Sequence, residues 1–136
     1  MASEKSAHAE LRRILPPGSL VQRVENSVGP GTPDVFIQSQ GRTAWAEDKE
    51  GVYSVEKKHV RVPKDKLRQS QYAWLTQYVY QGGVGLIGVH CESLRHTFIL
   101  PFAPELWNGL KVGVSTEDLF QLDNMTRLNL QHETWT

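Results

Sequence analysis

The sequence predicts an α/β domain built on a mixed β-sheet. Three observations predict it. Two segments, 3–15 and 66–81, carry apolar residues at helical spacing. Five shorter runs, 19–25, 34–38, 43–49, 84–90 and 97–102, have strand character and are bounded by turn residues. The order is helix, three strands, helix, strand, strand and tail, which fits one sheet with both parallel and antiparallel pairs.

The first helix places Ala7, Leu11, Ile14 and Leu15 on one face, and Pro16-Pro17-Gly18 stops it. Leu20, Val21 and Val24 are the apolar members of the first strand. Gly29, Pro30 and Gly31 mark the next turn. Val35, Phe36 and Ile37 build the second strand, and Ser39-Gln40-Gly41-Arg42 reads as a hairpin turn into the third. Residues 51–64 read as a long polar connection. The second helix carries Leu67, Gln71, Trp74, Leu75, Tyr78 and Val79 as a stripe, and Gly82-Gly83 ends it. Segments 105–110 and 116–122 read as short helices, with Ser115 capping the latter and Asp118 three residues on. The expected organisation is one domain over 1–136, with a core at about 3–102 and a short helical extension at 103–136.

Composition sets limits. The chain has 136 residues, 39% hydrophobic and 22% charged, which suits one modest core. No apolar run approaches a membrane span, and the polar start MASEKSAHAELRR is not a secretory signal. Cys91 is the single cysteine, so no internal disulfide or cysteine-built zinc site is expected, and a reducing cytoplasm fits. Net charge is zero, from 15 basic and 15 acidic residues. A uniformly basic coat is therefore excluded, but a local strip is not. Lys49, Lys57, Lys58, Arg61, Lys64, Lys66 and Arg68 face only three acids in the same stretch.

The chemistry concentrates in GTPDVFIQSQGRTAWAEDKE, residues 31–50. If 34–38 and 43–49 pair as a hairpin, Ile37 lies near Ala44 and Asp34 near Glu47. Strand alternation then puts Glu47 and Lys49 on one face and Asp48 on the other. Two adjacent carboxylates ionise together only with a cation to offset them. Hard oxygen ligands at a sheet end suit Mg²⁺, which takes one or two carboxylates plus substrate phosphate. Lys49 can orient or deprotonate water, or offset developing charge.

At these residues the chain resembles the PD-(D/E)xK nuclease superfamily. The match is Pro33-Asp34, a gap of twelve residues, then Glu47-Asp48-Lys49. Arg23-Val-Glu-Asn26, Gly31-Thr-Pro-Asp34, Trp45-Ala-Glu-Asp-Lys49, Leu67-Arg-Gln-Ser-Gln71 and Trp74-Leu75 narrow the likeness to small phage-type VRR-NUC and Holliday-junction-resolvase-like nucleases. The likeness covers roughly residues 3–89. It implies a restriction-endonuclease-like core and metal-dependent cleavage of DNA, branched DNA in particular. It implies metal at Asp34 and Glu47 (Mg²⁺, with Mn²⁺ also supporting activity), water assistance by Lys49, and Gln71 at the site. It also implies an acid on the first helix. Glu4 lies within the apolar face and is favoured over Glu10 at its flank. A homodimer is implied too, and, for a phage-encoded chain, the host cytoplasm. Asp48 departs from the pattern, since many relatives carry an apolar residue there.

Around this core, Lys57, Lys58, Arg61, Lys64, Lys66 and Arg68 read as contacts to DNA phosphate, joined by Arg23 and Asn26. Trp45, Trp74, Tyr78 and Phe98 read as core or interface. Exposed apolar residues on the second helix, or a tail with Trp107 and Phe120, are the dimer candidates. Ser70 has no His-Asp partner near it in sequence, and His90-Cys91 reads as a strand end. Two other readings stay open: a DNA-binding or assembly protein with this fold and no turnover, and a nuclease of other specificity, such as a nickase or a restriction-type or flap-cutting enzyme.

Overall fold

The computed structural model describes residues 7–24 and 29–132. Helix α1 spans Ala7–Ile14, and strands β1, β2 and β3 span Leu20–Arg23, Val35–Ser39 and Arg42–Glu50. Strands β4 (Val52–Ser54) and β5 (His59–Arg61) follow, then helix α2 (Gln69–Tyr80). The chain continues through β6 (Val84–Cys91), β7 (His96–Pro101), α3 (Pro104–Val112), β8 (Val114–Ser115) and α4 (Thr116–Gln131).

The fold is α/β, with a mixed five-stranded sheet in the order β1-β2-β3-β6-β7 and helices on both faces. Strand β3 is central. It pairs antiparallel with β2 and parallel with β6, with Glu47 level with Ile87. The connection from β3 to β6 therefore has to cross over the sheet, and α2 makes that crossing. Its first turn consequently meets the carboxyl end of β3, where open α/β sheets collect ligands.

The β2–β3 hairpin is a local product. Ile37 pairs with Ala44, and Ser39 with Arg42, so only Gln40 and Gly41 form the turn. Both have positive φ, 54° and 81°, the condition for a two-residue turn whose twist matches the strands. Register then follows from alternation. Ala44 and Ala46 pack with Ala7, Leu11 and Leu130 on one side of the sheet. On the other side Leu75, Ile87, Val89, Phe98, Leu100 and Trp107 form a second apolar cluster. A fully buried leucine such as Leu11 or Leu75 contributes about 1.5–3 kcal/mol of burial free energy.

Two expectations need correcting. Residues 51–64 are not only a loop: β4 and β5 pair as a hairpin, and β5 also pairs with β8. Val60 and Val62 are buried there, a signal too short to stand out among polar neighbours. Segment 116–122 is not a short helix either, since α4 runs 16 residues. Its inner face includes the buried Asp123 and Thr126 beside Leu119 and Leu130, so the apolar stripe is broken and its length was hidden. The Ser115 cap is as read, with the Asp118 N–H donating to Ser115 Oγ at 3.1 Å. No helix among the described residues is long and apolar enough to cross a membrane.

Candidate active site

Asp34 lies one step beyond the Val35–Ala46 pair, directly across from Glu47. Together they border a groove of about 400 Å³ whose rim includes Gly31, Lys49, Lys66, Arg68 and Gln71. Gly31 shows why the loop before Asp34 is glycine-rich. Its φ is +82°, and a Cβ there would stand 2.2 Å from the Ser70 carbonyl oxygen. The loop can lie against the start of α2 only without a side chain at this position.

Glu47 is 1% exposed. Burial, and then the negative charge of Asp34, push its carboxyl up to about 8; the ammonium of Lys49 opposes this without overcoming it. Glu47 Oε2 lies 3.2 Å from Lys49 Nζ, whereas Oε1 is buried and has no hydrogen-bond partner. Buried carboxylate oxygens are normally satisfied. One that is not, next to a second acid, fits a missing cation. The donor set is all oxygen, which suits Mg²⁺ or Mn²⁺ rather than zinc or copper. Among the described residues no group of three or more His, Cys, Asp or Glu gathers for a metal. Asp34 and Glu47 would thus hold part of the ion's coordination, and water and substrate phosphate the rest, as is usual for Mg²⁺.

Lys49 is held in place. Its side chain is 8% exposed. Its ammonium donates to Gln71 Oε1 at 2.8 Å and to the Lys66 carbonyl. Gln71 Oε1 also accepts the backbone N–H of Arg68 at 3.2 Å, which fixes the amide from the helix start. Gln71 thus has its polar partners, and they belong to the groove. Asp34, Glu47, Lys49 and Gln71 are brought together as the sequence pattern anticipates.

The remaining site candidates are dispersed. Asp48 sends its carboxylate to the opposite face, where Oδ1 accepts the Ala7 N–H at 2.8 Å. Arg23 lies 3.7 Å from Asp48 Oδ2, and half of its side chain is exposed. Lys66 and Arg68 rim the groove, whereas Lys57 and Lys58 occupy the β4–β5 turn, and Arg61 and Lys64 are exposed nearby in sequence without lining the groove. Glu10 is remote from Glu47: it pairs with Arg127 and Arg13 across the other face. Glu4 and Asn26 lie outside the described residues. As a dimer surface Trp107 is excluded, because it is buried at 1% exposure. Phe98 is likewise core, while Phe120 is partly exposed and packs on Phe98 and His96.

Two participants escaped the sequence reading. The Lys66 carbonyl has no sequence signature, because any residue supplies one. The Asp48 link to α1 had a signal in the unusual acid between Glu47 and Lys49, but its partner was not legible.

No family model matches the chain, and no curated protein matches it. Among solved structures, the chain is similar to Hjc, a Holliday junction resolvase from the archaeal hyperthermophile Archaeoglobus fulgidus. The two are 14% identical, with a TM-score of 0.46 over 83% of this chain and 91% of that one.

Proposed function

We propose that the chain is a Mg²⁺-dependent DNA endonuclease that hydrolyses phosphodiester bonds, with selectivity for branched duplex. The observation that carries the reading is the unpartnered, buried Glu47 Oε1 beside Asp34, in a groove that also holds Lys49. In this reading Asp34 and Glu47 hold the ion. Bound there, a divalent cation supplies a water of lowered pKa and positive charge against phosphoryl oxygens. Lys49 faces the same space. Its ammonium, oriented by Gln71 and the Lys66 carbonyl, donates to the attacking water or to a phosphate oxygen. Lys66 and Arg68 on the rim contact neighbouring phosphates. In the net reaction the water oxygen bonds to phosphorus and one P–O ester bond breaks. One strand end keeps the phosphate, and the other leaves as a hydroxyl after taking a proton.

What supports branch selectivity is the residue pattern of the sequence alone. A homodimer acting as one unit on two strands belongs to the same reading. Its candidate surface is the half-buried ladder Phe36, Trp45, Trp74 and Tyr78, with successive ring centroids 5.1, 5.5 and 5.3 Å apart. Uncharged aromatic surface is typical of protein interfaces. The whole chain is taken as one nuclease domain, working in the cytoplasm.

The test is cleavage of a four-way junction and of linear duplex, with Mg²⁺ or with EDTA. Junction cutting that needs Mg²⁺ is expected, and Asp34→Asn should abolish it while DNA binding is kept or strengthened. A chain that binds DNA but cuts no substrate with metal would favour the non-catalytic reading. Equal cutting of linear duplex would remove branch selectivity.

A further inference from the structure

Asp48 stands between the metal-binding acid and the lysine, yet its carboxylate serves the other face of the sheet. Three contacts converge on it. Its Oδ1 accepts the backbone N–H of Ala7, 41 residues away in sequence, at 2.8 Å. Its Oδ2 lies 3.7 Å from Arg23 Nη1. Its own backbone N–H donates to Asp34 Oδ2 at 3.0 Å. One residue therefore joins the first N–H of α1, the end of β1 and the carboxylate at the head of β2.

The packing around this point has no slack. Gly88 is level with Asp48 in the parallel β3–β6 ladder. A Cβ at Gly88 would stand 2.3 Å from Ala7 Cβ and 3.2 Å from Asp48 Oδ1. Ala7 itself is wholly buried. The start of α1 rests directly on the sheet backbone beside Asp48, and a carboxylate at that end also suits the helix dipole. Asp34 is oriented by the same residue. Its Oδ2 is committed to the Asp48 N–H, so Oδ1 is the oxygen left for a cation.

We infer that Asp48 is a positioning residue: through its Ala7 and Asp34 hydrogen bonds it sets the Asp34 carboxylate against Glu47 and seats α1 at the same point. This rests on the reading of the groove as a divalent-cation site. Residues that orient ligating carboxylates are commonly worth 10–100-fold in metal affinity. An apolar side chain at 48 would leave the Ala7 N–H buried without an acceptor, and the end of β3 would have to shift to relieve it.

The experiment compares the full chain with Asp48→Asn and Asp48→Ala. Mn²⁺ affinity is read by electron paramagnetic resonance, kcat and KM on junction DNA with Mg²⁺, and folding by circular dichroism. Asn keeps an oxygen for the Ala7 N–H; Ala does not. Asp48→Ala should weaken Mn²⁺ binding by about tenfold and lower kcat with KM for DNA unchanged. Asp48→Asn should stay within about threefold of the parent on both readouts. A folded Asp48→Ala chain with parental Mn²⁺ affinity would overturn the inference. So would a tenfold loss in Asp48→Asn, which remains decisive if Asp48→Ala does not fold. Failure of the parent chain to bind Mn²⁺ would remove the cation site, and the role of Asp48 with it. Binding by the parent with an unaltered Asp48→Ala removes only the role.

Discussion

The two faces of the central sheet both bury acids, and they treat them in opposite ways. On the face that carries α1 and part of α4, burial pushes the Asp123 carboxyl up. Its hydrogen bonds to His96, the Ile99 N–H and Arg127, with the charge of Arg127, overcome that and hold it low. Glu10 is held low in the same way, with Arg127 and Arg13 outweighing burial. Arg127 links the two acids and also donates to the Thr97 carbonyl at 2.8 Å. Across the sheet, Glu47 has one lysine, a second acid opposite and one oxygen with no partner. It is pushed up to about 8 by burial and by Asp34. The first cluster is complete, and its acids hold the helices to the sheet. The second is incomplete as protein alone, which is the usual mark of a site awaiting a charged partner.

The largest expected effects contrast the two clusters directly. Glu47→Gln should abolish metal-dependent cleavage, by on the order of a thousandfold or more, while the metal-free chain keeps or gains stability. Asp123→Asn should do the reverse. It should cost about 3 kcal/mol in urea unfolding, because it disturbs a buried charged network, and spare cleavage in the molecules that fold. A Glu47→Gln chain as destabilised as Asp123→Asn would make Glu47 a structural acid and erase the distinction.

The clusters should also differ in the sign of their pH dependence. Metal-free Glu47 keeps its proton up to about pH 8 in the folded chain, whereas its ordinary value is 4.5. Between these values the folded state binds more protons than the unfolded state. Its contribution to stability is full below pH 4.5 and falls, by on the order of a few kcal/mol, as pH rises to 8. Glu10 and Asp123 are lowered, so their contribution is full at neutral pH and is lost as pH falls through their native values. Urea midpoints of metal-free wild type and Glu47→Gln should therefore diverge between about pH 5 and 8. Parallel curves would remove the shift at Glu47.

A smaller effect concerns the basic strip. Lys66→Ala or Arg68→Ala should each reduce the slope of log K for DNA against log salt by about 1. Lys57→Ala and Lys58→Ala should leave it nearly unchanged, because those residues sit in the β4–β5 turn rather than on the groove rim. Equal slopes lost at all four positions would extend the DNA contact to that turn.

Much of the site was legible in the sequence because it is local. The Gln40-Gly41 turn and the two-residue period of the flanking strands together oppose Asp34 to Glu47, align Lys49 and turn Asp48 away. No distant residue is needed for that. Gln71 was legible for a different reason, as an amide within an apolar stripe that called for a partner. The strands of the β4–β5 hairpin escaped because three residues each carry too little periodicity. The length of α4 escaped because Asp123 and Thr126 interrupt its buried face.

The sequence by itself determined the α/β class, the hairpin and the acids and lysine that face one another across it. Each follows from periodicity and turn chemistry within about twenty residues. Only the tertiary structure decided which acids are satisfied. Glu10 finds Arg127 across 117 positions, Asp48 finds Ala7 across 41, and Lys49 finds Gln71 across 22. A carboxylate looks the same in sequence whether or not a guanidinium will meet it. Its partner is chosen by how helices seat on the sheet, and that depends on burial over the whole core.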